Sequence, residues 1–289
     1  MLKMPPSEKN VGIHLFGEDP ESMAKAAKVA VQQDPAPQFI DINMGCPVRK
    51  VVTKGGGSAL MKDTSKLGAY FREIKRAIDL PLTVKIRTGW DEGSRNALEV
   101  IRIAREEGLE FVGVHGRTRT QQYKGEANWD YIEQLAEENI LPIIGNGDLH
   151  TPDVCENRLK NTRCQALMLA RGPLRNPFLF LESLMTDEER AQNPNYFNAS
   201  DYWEIIEKLY QYMSESEENV TNKGLTISLR KHIVWFAAGF KAAAHFRSQV
   251  FQTPDIDETL EITREFFAQL KTQQKQIDYG QSFMTSGHG

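Results

Sequence analysis

The sequence predicts an α/β protein: a parallel β-sheet with helices packed outside it, followed by an all-helical C-terminal domain. Three observations predict it. Six short, β-rich runs alternate with helical patterns from Val11 to Ala170, which is the signature of strand–helix–strand units. Convincing strands stop beyond about Met185, where only helical spacing remains. Reactive or charged residues stand at the ends of five successive runs, where α/β folds place their chemistry.

The expected strands are Val11–Phe16, Gln38–Asn43, Leu82–Arg87, Phe111–His115, Pro142–Asn146 and Ala166–Ala170. They are nearly continuous in apolar residues, as strands buried on both faces should be. The expected helices are Pro20–Gln33, Ser65–Ile78, Ser94–Glu107, Trp129–Asn139 and Thr151–Asn161. Asp19-Pro20 and Thr151-Pro152 read as N-caps followed by proline in the first turn. Gly108 is placed to end a helix.

These elements define a parallel-sheet domain over residues 1–185. Thr186–Ser200 is polar, contains Asn193-Pro194-Asn195 and reads as a linker. Asp201–Ser214, Leu225–Ala238 and Asp255–Lys275 carry apolar residues at helical spacing, so 201–275 reads as a small helical domain. Gln276–Gly289 is polar and reads as a frayed tail.

The 289 residues suffice for one large core or two smaller ones. A net charge of −4 excludes a generally basic nucleic-acid coat but leaves room for a local basic groove. Cys46, Cys155 and Cys164 are odd in number and form no C-x-x-C pair, which points to free thiols in a reducing, cytoplasmic setting. No apolar run approaches the roughly 18 residues of a membrane span.

The most informative stretch is Phe39-Ile40-Asp41-Ile42-Asn43-Met44-Gly45-Cys46-Pro47. It is a strand running into a loop that presents a thiol between glycine and proline, and proline keeps Cys46 out of any helix. Further strand ends carry Lys85 and Arg87, then His115, Arg117 and Arg119, then Asn146-Gly147-Asp148, then Arg171-Gly172. Alone, each has a structural explanation: a buried thiol, turn glycines, a core imidazole, a solvated loop. Lys85 resists that treatment, because a lysine between buried Val84 and Ile86 needs a negative partner. The glycine-bearing loops after the last two strands suit a phosphate, which is where eight-stranded barrels bind one. A phosphate there would belong to a cofactor such as a flavin mononucleotide, and Lys85 would suit the negative N1–O2 edge of its reduced ring.

Five segments together carry a resemblance. They are Asp41–Pro47, Lys85-Ile86-Arg87-Thr88-Gly89-Trp90, His115-Gly116-Arg117-Thr118-Arg119, Gly145-Asn146-Gly147-Asp148 and Arg230-Lys231-His232. In this order the chain resembles the tRNA-dihydrouridine synthases, above all their bacterial B-type branch. The resemblance implies a TIM (β/α) barrel with a helical RNA-binding domain. It implies FMN-dependent reduction of uridine to 5,6-dihydrouridine in tRNA, with NADPH as electron source. By that likeness Cys46 protonates C5 of the uracil. An ordinary thiol, with a pKa of about 8.5, is mostly protonated near pH 7 and can serve as an acid. Lys85, His115, Asn146, Gly147, Asp148, Ala170 and Arg171 match the family's flavin-binding positions, with Gly172 beside them. Arg230, Lys231 and His232 would bring positive charge to the RNA, with Arg49, Lys50, Arg117 and Arg119 as further basic candidates. No metal or membrane is implied, and the expected state is a monomer.

Two departures from the family pattern matter. His14, in Gly12-Ile13-His14-Leu15-Phe16-Gly17, stands where the family has a flavin-contacting glutamine. It can donate one hydrogen bond but lacks an amide's donor–acceptor pair. The family's opening Pro-Met-Ala-Gly and Thr-Glu-Met segments do not occur, and Met1–Asn10 resembles the end of the barrel's second helix. The expectation is therefore an N-terminally incomplete barrel, six of eight strands, with the flavin ring less covered. Two rival readings remain at this stage: an FMN-barrel oxidoreductase acting on a free pyrimidine, and an inactive, truncated tRNA-binding product.

Overall fold

A computed structural model describes residues 9–192, 197–216 and 221–277. Asn193-Pro194-Asn195 and most of the expected tail lie outside the described residues. The described residues divide into two compact units, one running to Leu149 and resuming at Asn157–Leu169, the other comprising His150–Glu156 and the described residues from Ala170 on.

Six parallel strands build the first unit: β1 (Gly12–Leu15), β2 (Phe39–Met44), β3 (Leu82–Arg87), β4 (Val112–His115), β5 (Ile143–Asn146) and β6 (Ala166–Met168). They lie side by side in chain order. A doubly wound sheet reverses its strand order at a switch point, whereas a (β/α) barrel adds each strand beside the last. The order here is that of a barrel wall, with β1 and β6 as its edges among the described residues. The connections carry α1 (Pro20–Val31), the short α2 (Arg49–Val52), α3 (Leu67–Lys75), α4 (Ala97–Glu106), α5 (Trp129–Glu137) and α6 (Pro152–Asn161).

Local chemistry sets these boundaries. Asp19 accepts from Ser22 N at 2.8 Å and caps α1, and Thr151 Oγ1 accepts from Val154 N at 3.1 Å to cap α6. Gly108 follows α4 with φ +74°, a left-handed turn that stops the helix.

The strands differ from the expected apolar-on-both-faces pattern. Register pairs Ile13, Ile40 and Leu82 on one face, then Ile42, Val84, Val112 and Ile143, then Met44, Ile86 and Val114. The other face aligns His14, Asp41 and Thr83, then Asn43 and Lys85, then Arg87, His115 and Asn146. The sheet is therefore apolar on one face and polar on the other. The short runs hid this alternation because glycines and isoleucines interrupt it in β4 and β5.

The second unit is helical: α7 (Arg171–Arg175), α8 (Leu179–Leu184), α9 (Asp187–Gln192), α10 (Ala199–Ser216), α11 (Asn222–Ala237), α12 (Ala243–Gln252) and α13 (Ile256–Leu270). Its core joins Phe178, Tyr202, Ile206, Leu229, Ile233, Phe236, Phe246 and Phe267. Three points correct the sequence reading. The expected linker contains α9. α12 was not anticipated; it starts at Ala242 with φ +62° and no side-chain cap, so it carries no start signal. Gln276 is not frayed, since its N–H donates to Gly239 O at 3.0 Å. Lys275 anchors the same segment by donating to Arg175 O at 2.6 Å. No described helix is long and apolar enough to cross a membrane.

Candidate active site

The C-terminal ends of β2 and β3 meet at the half-buried Cys46. Its main chain is held from three sides. Asn43 Oδ1 accepts from Cys46 N at 2.9 Å and from Gly45 N at 3.1 Å. The Cys46 carbonyl accepts from Ser58 N at 3.1 Å and from Ser58 Oγ at 2.8 Å. Arg87 Nε donates to Gly45 O at 2.8 Å. Gly57, at φ +59°, packs directly behind, where a Cβ would lie 2.9 Å from Cys46 O and 3.0 Å from its Cβ. With its backbone polar groups engaged, Cys46 has the thiol as its free functional group.

Lys85 lies one strand over, on the polar face. Among the described residues, its Nζ has only the carbonyl of Ile86, at 3.5 Å, within hydrogen-bonding range. Burial, and then the charge of Arg87, push its pKa down to about 7, while Asp41 acts weakly the other way. Its neighbour in register is Gly113, where a Cβ would meet Lys85 Cδ at 2.6 Å, so only glycine leaves the side chain its place. His115 ends β4, and burial followed by the charges of Lys85, Arg87 and Arg117 holds its pKa well below the usual imidazole range. It is therefore neutral. Arg117 donates to its Nε2 at 3.4 Å. Asn146, buried at the end of β5, donates to Met168 O at 2.7 Å. Gly147 follows at φ +129°, its carbonyl accepting from Trp129 Nε1 at 2.9 Å.

Other expected site residues are engaged elsewhere. His14 Nδ1 lies 2.5 Å from Asp41 Oδ2, and Asp41 Oδ1 accepts from Thr83 Oγ1 at 2.6 Å. His14 is thus bound to a carboxylate. Asp148 and Arg117 form a two-pronged ion pair at 2.8 Å, and Arg117 also donates to Lys124 O at 3.2 Å and Gly125 O at 2.5 Å. At 2% exposure Arg117 cannot reach an RNA phosphate, which corrects its assignment as an RNA contact. Arg230 is similarly held: its guanidinium donates to Thr253 O, to Thr253 Oγ1 at 2.7 Å and to Thr259 Oγ1 at 3.4 Å. Beside it on α11, Lys231 is exposed, while the half-buried His232 bonds Ser228 O at 3.0 Å.

Arg49 and Lys50 are exposed on α2, just past Cys46. Lys50 and Lys54 line a cavity of about 650 Å³ with Phe16, Met23 and Val51. Arg119 is half-buried against the Trp90 ring, 4.5 Å from its centroid. Ala170, Arg171 and Gly172 open α7 in the second unit, with Arg171 NH2 3.5 Å from His150 Nε2.

The sequence reading missed Asp41, Asn43 and Ser58 as parts of the site. The first two were visible as polar residues two apart in β2, sharing a face. Ser58 had no signal, since its contact with Cys46 spans a loop of irregular turns.

"Probable tRNA-dihydrouridine synthase 1" of Synechocystis is 34% identical over 261 residues, covering 89% of this chain and 71% of that protein. "tRNA-dihydrouridine synthase B" of Pasteurella multocida is 35% identical over 88% of this chain and 75% of its own length. Its counterpart in Pseudomonas aeruginosa is 34% identical over 89% and 76%. The sequence profile described as dihydrouridine synthase matches residues 1–273. A parallel strand wall with its thiol, lysine and imidazole on one edge, and a profile match over nearly the whole chain, place this protein in the dihydrouridine synthase family.

Proposed function

We infer that this chain reduces uridine in tRNA to 5,6-dihydrouridine, with FMN as its bound cofactor and NADPH as electron source. The observation that carries the reading is the constrained Cys46 turn beside Lys85. Lys85 supports the choice of cofactor. It is a largely buried ammonium with no carboxylate at ion-pair distance among the described residues, which fits the negative N1–O2 edge of a reduced flavin. His115 and Asn146 share its face and would hold the ring and its tail, with Gly147 beside them.

A reduced flavin held by Lys85, His115 and Asn146 would supply the hydride for C6 of the uracil. Cys46 Sγ holds the proton that completes the product at C5. The Asn43, Ser58 and Arg87 contacts keep the thiol fixed, so that little reorganisation is needed at transfer. A neutral His115 adds no further cation to Lys85 and Arg87. The target base must leave its stack to reach this edge. With tRNA as substrate, the protein works in the cytoplasm.

The test is incubation of the flavin-loaded protein with NADPH and unmodified tRNA, followed by nucleoside mass spectrometry. Dihydrouridine is the expected product. Flavin that NADPH reduces, with no dihydrouridine formed, would overturn the reading.

A further inference from the structure

The loops after β3 and β4 are zipped into one platform. Thr88 N donates to Arg117 O at 3.2 Å, Arg119 N to Gly89 O at 3.0 Å and Thr120 N to Trp90 O at 3.0 Å. Gly89 also forms an antiparallel bridge with Arg95. Trp90 carries two cations on its indole. The exposed Lys62 ammonium lies 3.8 Å from the ring centroid, and the Arg119 guanidinium lies 4.5 Å away.

Among the described residues neither cation has a carboxylate partner. The acids beside them in sequence are engaged: Asp63 pairs with Lys66 at 3.5 Å, Asp91 accepts from Ser94 Oγ at 2.8 Å, and Glu92 pairs with Arg95. A second observation points the same way. The described buried side-chain atoms without a hydrogen-bond partner are Thr88 Oγ1, Arg95 Nε, Asn96 Oδ1 and Arg119 Nε. All four belong to this platform. Native structures leave few such atoms, and each calls for an explanation. Two like charges on one ring, and a guanidinium N–H lacking its acceptor, are both relieved by an anion.

We propose that Lys62, Trp90 and Arg119 form a binding site for a phosphate ester on the C-terminal edge of the sheet. Lys62 and Arg119 are its charged contacts, and Trp90 holds the two cations together. The phosphate belongs either to the tRNA backbone or to NADPH. The site deepens the functional reading above and rests on it only for naming these two sources.

The test uses the full chain carrying Lys62→Ala and Arg119→Ala together, with thermal unfolding as the check on folding. Binding of unmodified tRNA is measured between 50 and 200 mM salt, and binding of NADPH by its fluorescence. If the phosphate is RNA's, tRNA Kd rises about tenfold, and the slope of log K against log salt falls by about 0.7–0.9 per lost contact. NADPH affinity then stays constant. If the phosphate is the dinucleotide's, NADPH Kd rises while the tRNA slope is unchanged. Both constants unchanged in a folded double variant overturns the site. Should the double variant not fold, Lys62→Ala alone, at an exposed side chain, decides the matter on the same two measurements. These readouts report binding, so a protein that binds both ligands but makes no dihydrouridine would overturn the functional reading and leave the site standing.

Discussion

Arg117 and Asp148 face each other as a fork on a fork, with both N–O distances at 2.8 Å. The pair ties the loop after β4 to the loop after β5, and Asp148 Oδ2 also accepts from Ala127 N at 2.7 Å. Its work is architectural. Removing the carboxylate would strand a guanidinium whose side chain is 3% exposed. Asp148→Asn should therefore cost about 3 kcal/mol of unfolding free energy, at the low end for broken buried pairs because Asp148 is partly exposed. A urea titration measures it. Loss of less than about 0.5 kcal/mol would mean that the pair is no more than a surface contact.

Cys46→Ala is expected to keep the fold and any bound flavin, accept electrons from NADPH and lose dihydrouridine formation. Cys46→Ser should also be severely impaired, because a hydroxyl is a much weaker acid. Positioned acids contribute about 10²–10⁴ in rate. Near-normal product from the alanine variant would remove Cys46 from the mechanism.

The packing behind Cys46 can be tested separately. Gly57→Ala places a Cβ 2.9 Å from Cys46 O at a left-handed φ. The turn must shift to accept it. Displacement of a reacting group by about 1 Å costs roughly 10²-fold, so single-turnover product formation should fall by that order while NADPH still reduces the flavin. Unchanged turnover would show that the thiol tolerates movement.

Lys85 gives stability a pH dependence with a defined sign. Its folded pKa of about 7 lies below the ordinary lysine value of 10.5. Between those limits the unfolded chain binds the proton that the folded chain refuses, so stability rises with pH across that window. Below pH 7 the native state carries the burial penalty in full. In the flavin-free protein, Lys85→Met should raise the unfolding temperature near pH 7, and the gain should shrink toward pH 10. A gap that widens with pH would invert the assignment.

Arg230 and Lys231 are neighbours with different jobs. Arg230→Ala should lower the melting temperature, because Thr253 and Thr259 lose a buried donor. Its effect on the salt slope of tRNA binding should be nil. Lys231→Ala should leave stability within about 0.5 kcal/mol and reduce that slope by about 0.9 if it touches a duplex phosphate. A flattened slope in the Arg230 variant alone would reverse the two roles.

These pairs mark where sequence reading stops. Strands and helices were legible because β-rich runs and capped helix starts are local signals, as at Asp19 and Thr151. The thiol turn was legible because Gly45, Cys46 and Pro47 are adjacent. Arg117 and Arg119 look alike in the chain, yet one is locked onto Asp148 and the other rests on Trp90. Only contacts between residues far apart in sequence separate them. The same holds for Arg230 against Lys231, and for His14, whose partner Asp41 sits 27 positions away. α12 escaped because helix starts without a cap leave no mark.

The two-faced sheet carries a built-in check on misassembly. Side chains alternate along a strand, so a slip of one residue turns every one of them over. If β3 slipped by one position between β2 and β4, Lys85 and Arg87 would be driven among isoleucines and valines, and Leu82, Val84 and Ile86 would face the polar side. No neighbouring register is tolerable. The charges that make this edge suitable for chemistry thus also tell each arriving strand where to stop.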